Sequence, residues 1–228
     1  MTNTPHIPLR ATLTGATPKD ALSLLPQMGK VMLVVSASGV THERIGPVET
    51  VTEGRGRLLI SGACHEASID GAAVAGIVLD TRSVMRDKVY PRLEFLDATG
   101  QAAFSLVGMD GLEAFTDPLS CFRREILPPR DTEVMPGAGR NDLQESDPVH
   151  LPFQTLLLRG GAAAITFDTG TLRQTWRGVI EATKPAMGFL NVMTGDFHLH
   201  LKGGRFRAGA TPQASASRWT EAARRTGL

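Results

Sequence analysis

The sequence predicts an α+β protein built from two related, sheet-based halves. Three observations lead there. Short runs of β-branched and apolar residues are broken by Gly-bearing turns. A helix–strand–turn–strand order occurs over residues 19–51 and again over 151–183. Between them, residues 128–150 ("PPRDTEVMPGAGRNDLQESDPVH") are poor in apolar side chains and rich in turn formers, as a linker is.

Taken in order, residues 1–16 are polar and rich in Pro and Thr, and read as a loose arm. A short helix follows in "TPKDALSLLPQMG": Thr17 suits the N-cap, Pro18 the first helical position and Gly29 the stop. "KVMLVVSASGVTHERIG" reads as a β-hairpin turning at "SASG". "GRLLISGA" and "GAAVAGIVLD" are strand candidates, and "PRLEFLDATGQAAFSLVG" is a second hairpin turning at "DATG". "GLEAFTDPLSCFRREIL" reads as a helix broken near Pro118. In the second half, "AAITFDTGTLRQTWRG" repeats the strand, Gly-bearing turn and strand of the first hairpin, its second strand reading "QTWRG" beside "VTHERIG". "ASASRWTEAARRTGL" ends the chain as a basic amphipathic helix. The organisation expected is an arm (1–16), a first repeat (17–127), a linker (128–150) and a second, truncated repeat (151–228).

Composition excludes several classes of function. The 24 basic and 23 acidic residues leave a net charge of +1, which gives nucleic acid no electrostatic footprint. Aromatics at 5% are too few for a base-stacking platform. No apolar run reaches membrane-spanning length and the N-terminus lacks a secretory core, so the expectation is a soluble, cytoplasmic protein without membrane insertion. Cys64 and Cys121 show neither C-x-x-C nor zinc spacing and read as reduced thiols.

The chemistry-bearing candidates are histidines. In "FHLHL", period-two alternation puts His198 and His200 on one face and Phe197, Leu199 and Leu201 on the other. The pair suits a metal, or equally a solvated sheet face, since no third ligand stands nearby in sequence. His42, in "VTHERIG", has no catalytic partner in sequence, and His65, beside Cys64, reads as loop or surface. No nucleophile elbow, zinc-protease or phosphate-loop motif is present, and no residue is assigned a catalytic role.

Three separated stretches resemble the haemin transport and degradation proteins of the HemS type. "MGKVMLVVSASGVTHERIGPVETV" resembles the opening of their first repeat, with His42-Glu43 and Gly46 in place. "PRLEFLDATGQAAFSL" resembles a strand pair of the form S-L-Q-F-F-D-A-x-G-x-A. "AMGFLNVMTGDFHLHL" resembles M-G-P-W-L-N-V-L-D-P-D-F-N-L-H-L of the second repeat. The resemblance implies two repeats, each a large twisted antiparallel sheet with flanking helices. It also implies haem held between helix and sheet, with iron bound by a histidine.

The chain departs from that pattern where iron should bind. Trp176 stands at the histidine of the family's Q-I-H-T-G-P-V motif, and an indole cannot ligate iron. His200 matches the histidine of "FNLHL", while His198 replaces an asparagine. The candidate cofactor-binding residues are therefore His42, Arg44, Trp176, Arg177, His198 and His200, with His42, His198 and His200 as candidate metal ligands. The implied function is haem-iron utilisation, as carrier or degrading partner, with weakened iron ligation. The alternative is a scaffold that has lost haem and takes another flat small molecule or a protein. A divalent metal at His198 and His200 is a third reading, and a homodimer is the expected assembly.

Overall fold

The computed structural model describes residues 8–128 and 143–205. The C-terminal helix expected from "ASASRWTEAARRTGL" and most of the 128–150 segment lie outside them. The first half contains β1 (Arg10–Thr14), α1 (Pro18–Ser23), β2 (Lys30–Ala37), β3 (Val40–Pro47), β4 (Thr50–Gly54), β5 (Arg57–Ser61) and β6 (Glu66–Ile69). It continues through β7 (Gly76–Asp80), the two-residue strands β8 (Val84–Met85) and β9 (Lys88–Val89), β10 (Arg92–Leu96) and β11 (Ala102–Gly108). Next come α2 (Leu112–Thr116) and β12 (Arg123–Ile126). The second half has α3 (His150–Arg159), β13 (Ala162–Asp168), β14 (Leu172–Val179), β15 (Lys184–Ala186), β16 (Phe189–Met193) and β17 (Phe197–Lys202).

Local chemistry explains the helix start and the turns. Thr17 caps α1 in a reciprocal capping box with Asp20, and Pro18 begins the helix. Ser38 and Gly39 take positive φ angles of 52° and 83° in the β2–β3 turn, as a two-residue hairpin turn of matching twist requires. Asp97 holds the β10–β11 turn through the backbone amides of Thr99 and Gln101.

The two halves repeat at a constant offset of 132 residues, the separation of His42 and Gln174. Adding it carries the start of α1 onto that of α3, β2–β3 onto β13–β14, and β4, β5 and β6 onto β15, β16 and β17. Even the turns correspond: Arg55-Gly56, with φ of 53° and 74°, matches Met187-Gly188, with φ of 56° and 79°. Matched core positions keep their apolar character: Val48 and Ile180, Leu58 and Leu190, Ile60 and Val192, Ile69 and Leu201 are all buried.

The sheets are not divided between the halves. One has ten strands in the order β12-β1-β7-β10-β11-β2-β3-β17-β16-β15. The other has five, β13-β14-β6-β5-β4. Each half therefore lends its three-stranded meander to the other's hairpin: β17 pairs with β3, and β6 with β14. One core gathers Leu33, Leu79, Phe95 and Leu106 of the large sheet, Ile60, Ile69 and Leu172 of the small one, and Leu22 of α1. A second joins Phe153 of α3 to Trp176, Leu190, Phe197 and Leu199.

Three local expectations change. Within residues 1–16, Arg10–Thr14 form a strand held between β7 and β12, because alternate burial of Ala11 and Leu13 gives that run an inner face. The broken helix ends at Thr116; after a 3₁₀ turn at Pro118–Cys121 the chain extends as β12 to close the sheet edge. His65 is buried at 2% exposure, its Nε2 donating to the Gly46 carbonyl at 3.0 Å.

Candidate functional site

The histidine pair stands as the alternation predicts. Phe197, Leu199 and Leu201 are buried, while His198 and His200 keep 24% and 28% of their side-chain surface exposed. The register of β17 against β3 puts His198 opposite Glu43 and His200 opposite Thr41; against β16 it puts His198 opposite Met193 and His200 opposite Asn191. Residues directly opposite share a face, so Glu43, His198, His200, Asn191 and Met193 form one polar–apolar patch. Lys202, opposite Phe189, and Lys184, opposite Asn191, extend it.

Within the patch, His198 Nδ1 lies 3.1 Å and His200 Nε2 3.9 Å from Glu43 Oε2. Asn191 Oδ1 accepts a 2.6 Å hydrogen bond from His200 Nδ1. Burial by itself raises the Glu43 carboxyl pKa, but the hydrogen bonds and charge of His198 and His200 outweigh it and pull the value to about 2. Sequence reading missed Glu43 as the third member. The alternation that exposes His198 and His200 also turns Glu43 away from its neighbour His42, and pairing with β17 brings the three together.

His42 occupies the opposite face. It is fully buried, with Nε2 donating to the Ile165 carbonyl at 3.3 Å and Nδ1 accepting from Gln174 Nε2 at 2.9 Å. The same Gln174 nitrogen reaches the Leu33 carbonyl at 3.2 Å. His42 and Gln174 are counterparts at the 132-residue offset, and so are Leu33 and Ile165: each side chain grips the equivalent carbonyl of the other hairpin. Desolvation pushes the His42 pKa down to about 4, so the ring stays neutral.

Trp176, 3% exposed, stacks on Phe197 at 4.6 Å, and Phe197 touches His42 at 4.9 Å. Its indole lies over Gly178, where an added Cβ would collide with the ring. Arg44, the counterpart of Trp176, is 4% exposed, donates to the Cys64 carbonyl at 2.7 Å and pairs with Asp196 at 3.3 Å. Arg177 lies on the other sheet, paired through two nitrogens with Glu66 at 3.0 Å. The structure thus brings together His198 and His200 of the candidate set, gathers His42 and Trp176 around Phe197 on the opposite face, and leaves Arg44 and Arg177 in ion pairs of their own. A cleft of about 460 Å³ between α1 and the β4–β5 turn, lined among others by Lys19, Glu53, Arg55 and Arg57, contains no histidine.

No family model matches the sequence, and no curated protein matches it either. Solved structures do match in shape. The heme degrading enzyme ChuS of Escherichia coli O157:H7 superposes with a TM-score of 0.64 at 16% identity, covering 86% of this chain and 70% of ChuS. Apo-PhuS, a heme-binding protein from Pseudomonas aeruginosa, superposes with a TM-score of 0.61 at 17% identity, over 85% of this chain and 70% of PhuS. With its doubled hairpin and exchanged meanders, this chain has the fold of ChuS and PhuS.

Proposed function

We propose that the protein binds haem in haem-iron utilisation, as a carrier or degrading partner, in the cytoplasm and as a homodimer. The observation that carries this reading is the fold shared with ChuS and PhuS over 86% and 85% of the chain. The polar–apolar patch is chemically suited to the group. His198 and His200 offer imidazole to iron. Phe189 and the 60%-exposed Met193 offer apolar surface to a porphyrin, and Lys184 and Lys202 offer ammonium groups to its propionates. His42 has no free nitrogen for iron, and Trp176 has none that can donate a lone pair. Haem would supply redox-active iron; the chain would orient it and shield one face. No helix among the described residues is long and apolar enough to cross a membrane.

Haemin titration followed by absorbance tests the reading. Wild type should show a saturable Soret shift. His198→Ala and His200→Ala together should weaken binding at least ten-fold with the far-UV spectrum unchanged. Absence of saturable binding to wild type overturns the proposal.

A further inference from the structure

Asn191 settles which nitrogen of the neutral His200 ring carries the hydrogen. Its Nδ2 donates to the carbonyl oxygens of Lys184 at 2.9 Å and Phe189 at 3.3 Å, so its Oδ1 is the atom facing the ring. An amide oxygen only accepts, and the 2.6 Å contact therefore places the ring hydrogen on His200 Nδ1. In the neutral ring Nε2 is a bare lone pair. It lies 3.9 Å from Glu43 Oε2, another lone-pair atom, so that only a second ring proton or a cation would join the two. His198 Nδ1 converges on the same oxygen at 3.1 Å, and one donor atom from each of the three residues lies within 4.8 Å of the others. Acceptors facing each other across so short a gap call for positive charge between them.

We propose that Glu43 Oε2, His198 Nδ1 and His200 Nε2 bind one divalent first-row transition-metal ion, with Asn191 holding the His200 ring in the ligating tautomer. The donor set is two imidazoles and a carboxylate, suited to zinc, cobalt, nickel or ferrous iron rather than to calcium or magnesium. An ion about 2.0–2.2 Å from each donor sets donor–donor spacings of roughly 3.3 Å. The 3.1 and 3.9 Å edges are already close to that, and rotation of side chains on the two paired strands closes the rest. When the ion binds, the proton on His198 Nδ1 moves to Nε2, so the ring stays neutral. Asn191 plays the outer part that usually belongs to a carbonyl or carboxylate behind a metal-bound histidine. Three protein ligands leave coordination positions open to water or a small anion, the pattern of reactive rather than structural sites. β17 lies between β3 and β16, so the donors on the paired strands β3 and β17, and the supporting Asn191 on β16, are placed by the sheet before any ion arrives. This inference does not rest on the haem reading, although both draw on the same two rings.

The test uses the full chain, stripped with chelator and free of haem. Zinc is titrated by calorimetry and cobalt by visible absorption. The expected result is one ion per chain, with cobalt ligand-field bands and no thiolate charge-transfer band, which excludes Cys64 and Cys121 as ligands. Glu43→Gln and His200→Ala should each weaken zinc binding roughly 100-fold, and Asn191→Ala, which removes no ligand, about ten-fold. Cys121→Ser should change nothing. If Glu43→Gln or His200→Ala loses its native circular dichroism, Asn191→Ala carries the test. No zinc binding at millimolar concentration, or binding of undiminished strength in folded Glu43→Gln, His200→Ala and Asn191→Ala, overturns the proposal.

Discussion

The two hairpins, β2–β3 and β13–β14, share one backbone and differ in chemistry. At the same place in each stand His42 and Gln174, then Arg44 and Trp176, then Gly46 and Gly178. Only the glycines are identical, and both are held by close approach: a Cβ would strike Cys64 at Gly46 and the Trp176 ring at Gly178. The difference teaches which positions the fold constrains. Where a side chain lies directly on the strand, as Cys64 does at Gly46 and Trp176 at Gly178, both halves keep glycine. Two residues earlier, a polar pair (Arg44 with Asp196) in one half and an aromatic stack (Trp176 on Phe197) in the other serve equally.

Removing the aromatic solution should cost most. Phe197 is fully buried and touches both Trp176 and His42, so it couples the two hairpins. Phe197→Ala should destabilise the fold by about 3–5 kcal/mol, lowering Tm by roughly 10 °C, measured by thermal denaturation. A loss below about 1 kcal/mol would mean the two hairpins are not coupled there.

The next effect separates His42 from its counterpart. Folding holds the ring neutral, its pKa pushed from 6.5 to about 4. On acidification the unfolded chain takes up a proton near pH 6.5 that the folded chain refuses until about pH 4. Stability is therefore full above pH 6.5 and falls by about 3 kcal/mol as pH drops to 4. Glu43 acts lower: its pKa falls from 4.5 to about 2, so its contribution is complete above pH 4.5 and is lost as pH falls through 2. His42→Gln installs the residue of the other half and should flatten urea-derived stability between pH 6.5 and 4.5. A slope that persists there belongs to another group.

Much of this was legible in the sequence, and what was not has a common cause. The hairpins, the α1 cap and the exposure of His198 and His200 follow from spacing within a few residues. β1 and β12 were hidden because each is a short strand that pairs with a partner more than a hundred residues away. His65 looked like a loop residue because nothing in "SGACHEASID" shows that the Gly46 carbonyl waits for its ring. Glu43 was visible as a neighbour of His42 but not as the partner of His198, since that contact joins residues 155 apart. The exchange of meanders is non-local in the same way.

The smallest effect lies at the surface. Lys19 and Glu53 pair at 3.1 Å with more than half of each side chain in water, while their counterparts are Leu151 and Pro185. The second half holds the same geometry without the pair. Lys19→Met should change stability by less than about 0.5 kcal/mol, measured by urea titration; a loss above 1 kcal/mol would show that the first half depends on that ion pair.

The exchange of meanders also sets a timetable for synthesis. β3 cannot gain β17, nor β6 gain β14, until the second half has been made. Glu43 and His198, which meet across β3 and β17, are 155 residues apart, and at ribosomal speeds of about 5–20 residues per second that interval is roughly 10–30 s. Throughout it the nascent first half carries two open strand edges, the kind of surface on which chains associate wrongly. Its safety then rests on how fast the ribosome delivers the strand that carries the two histidines.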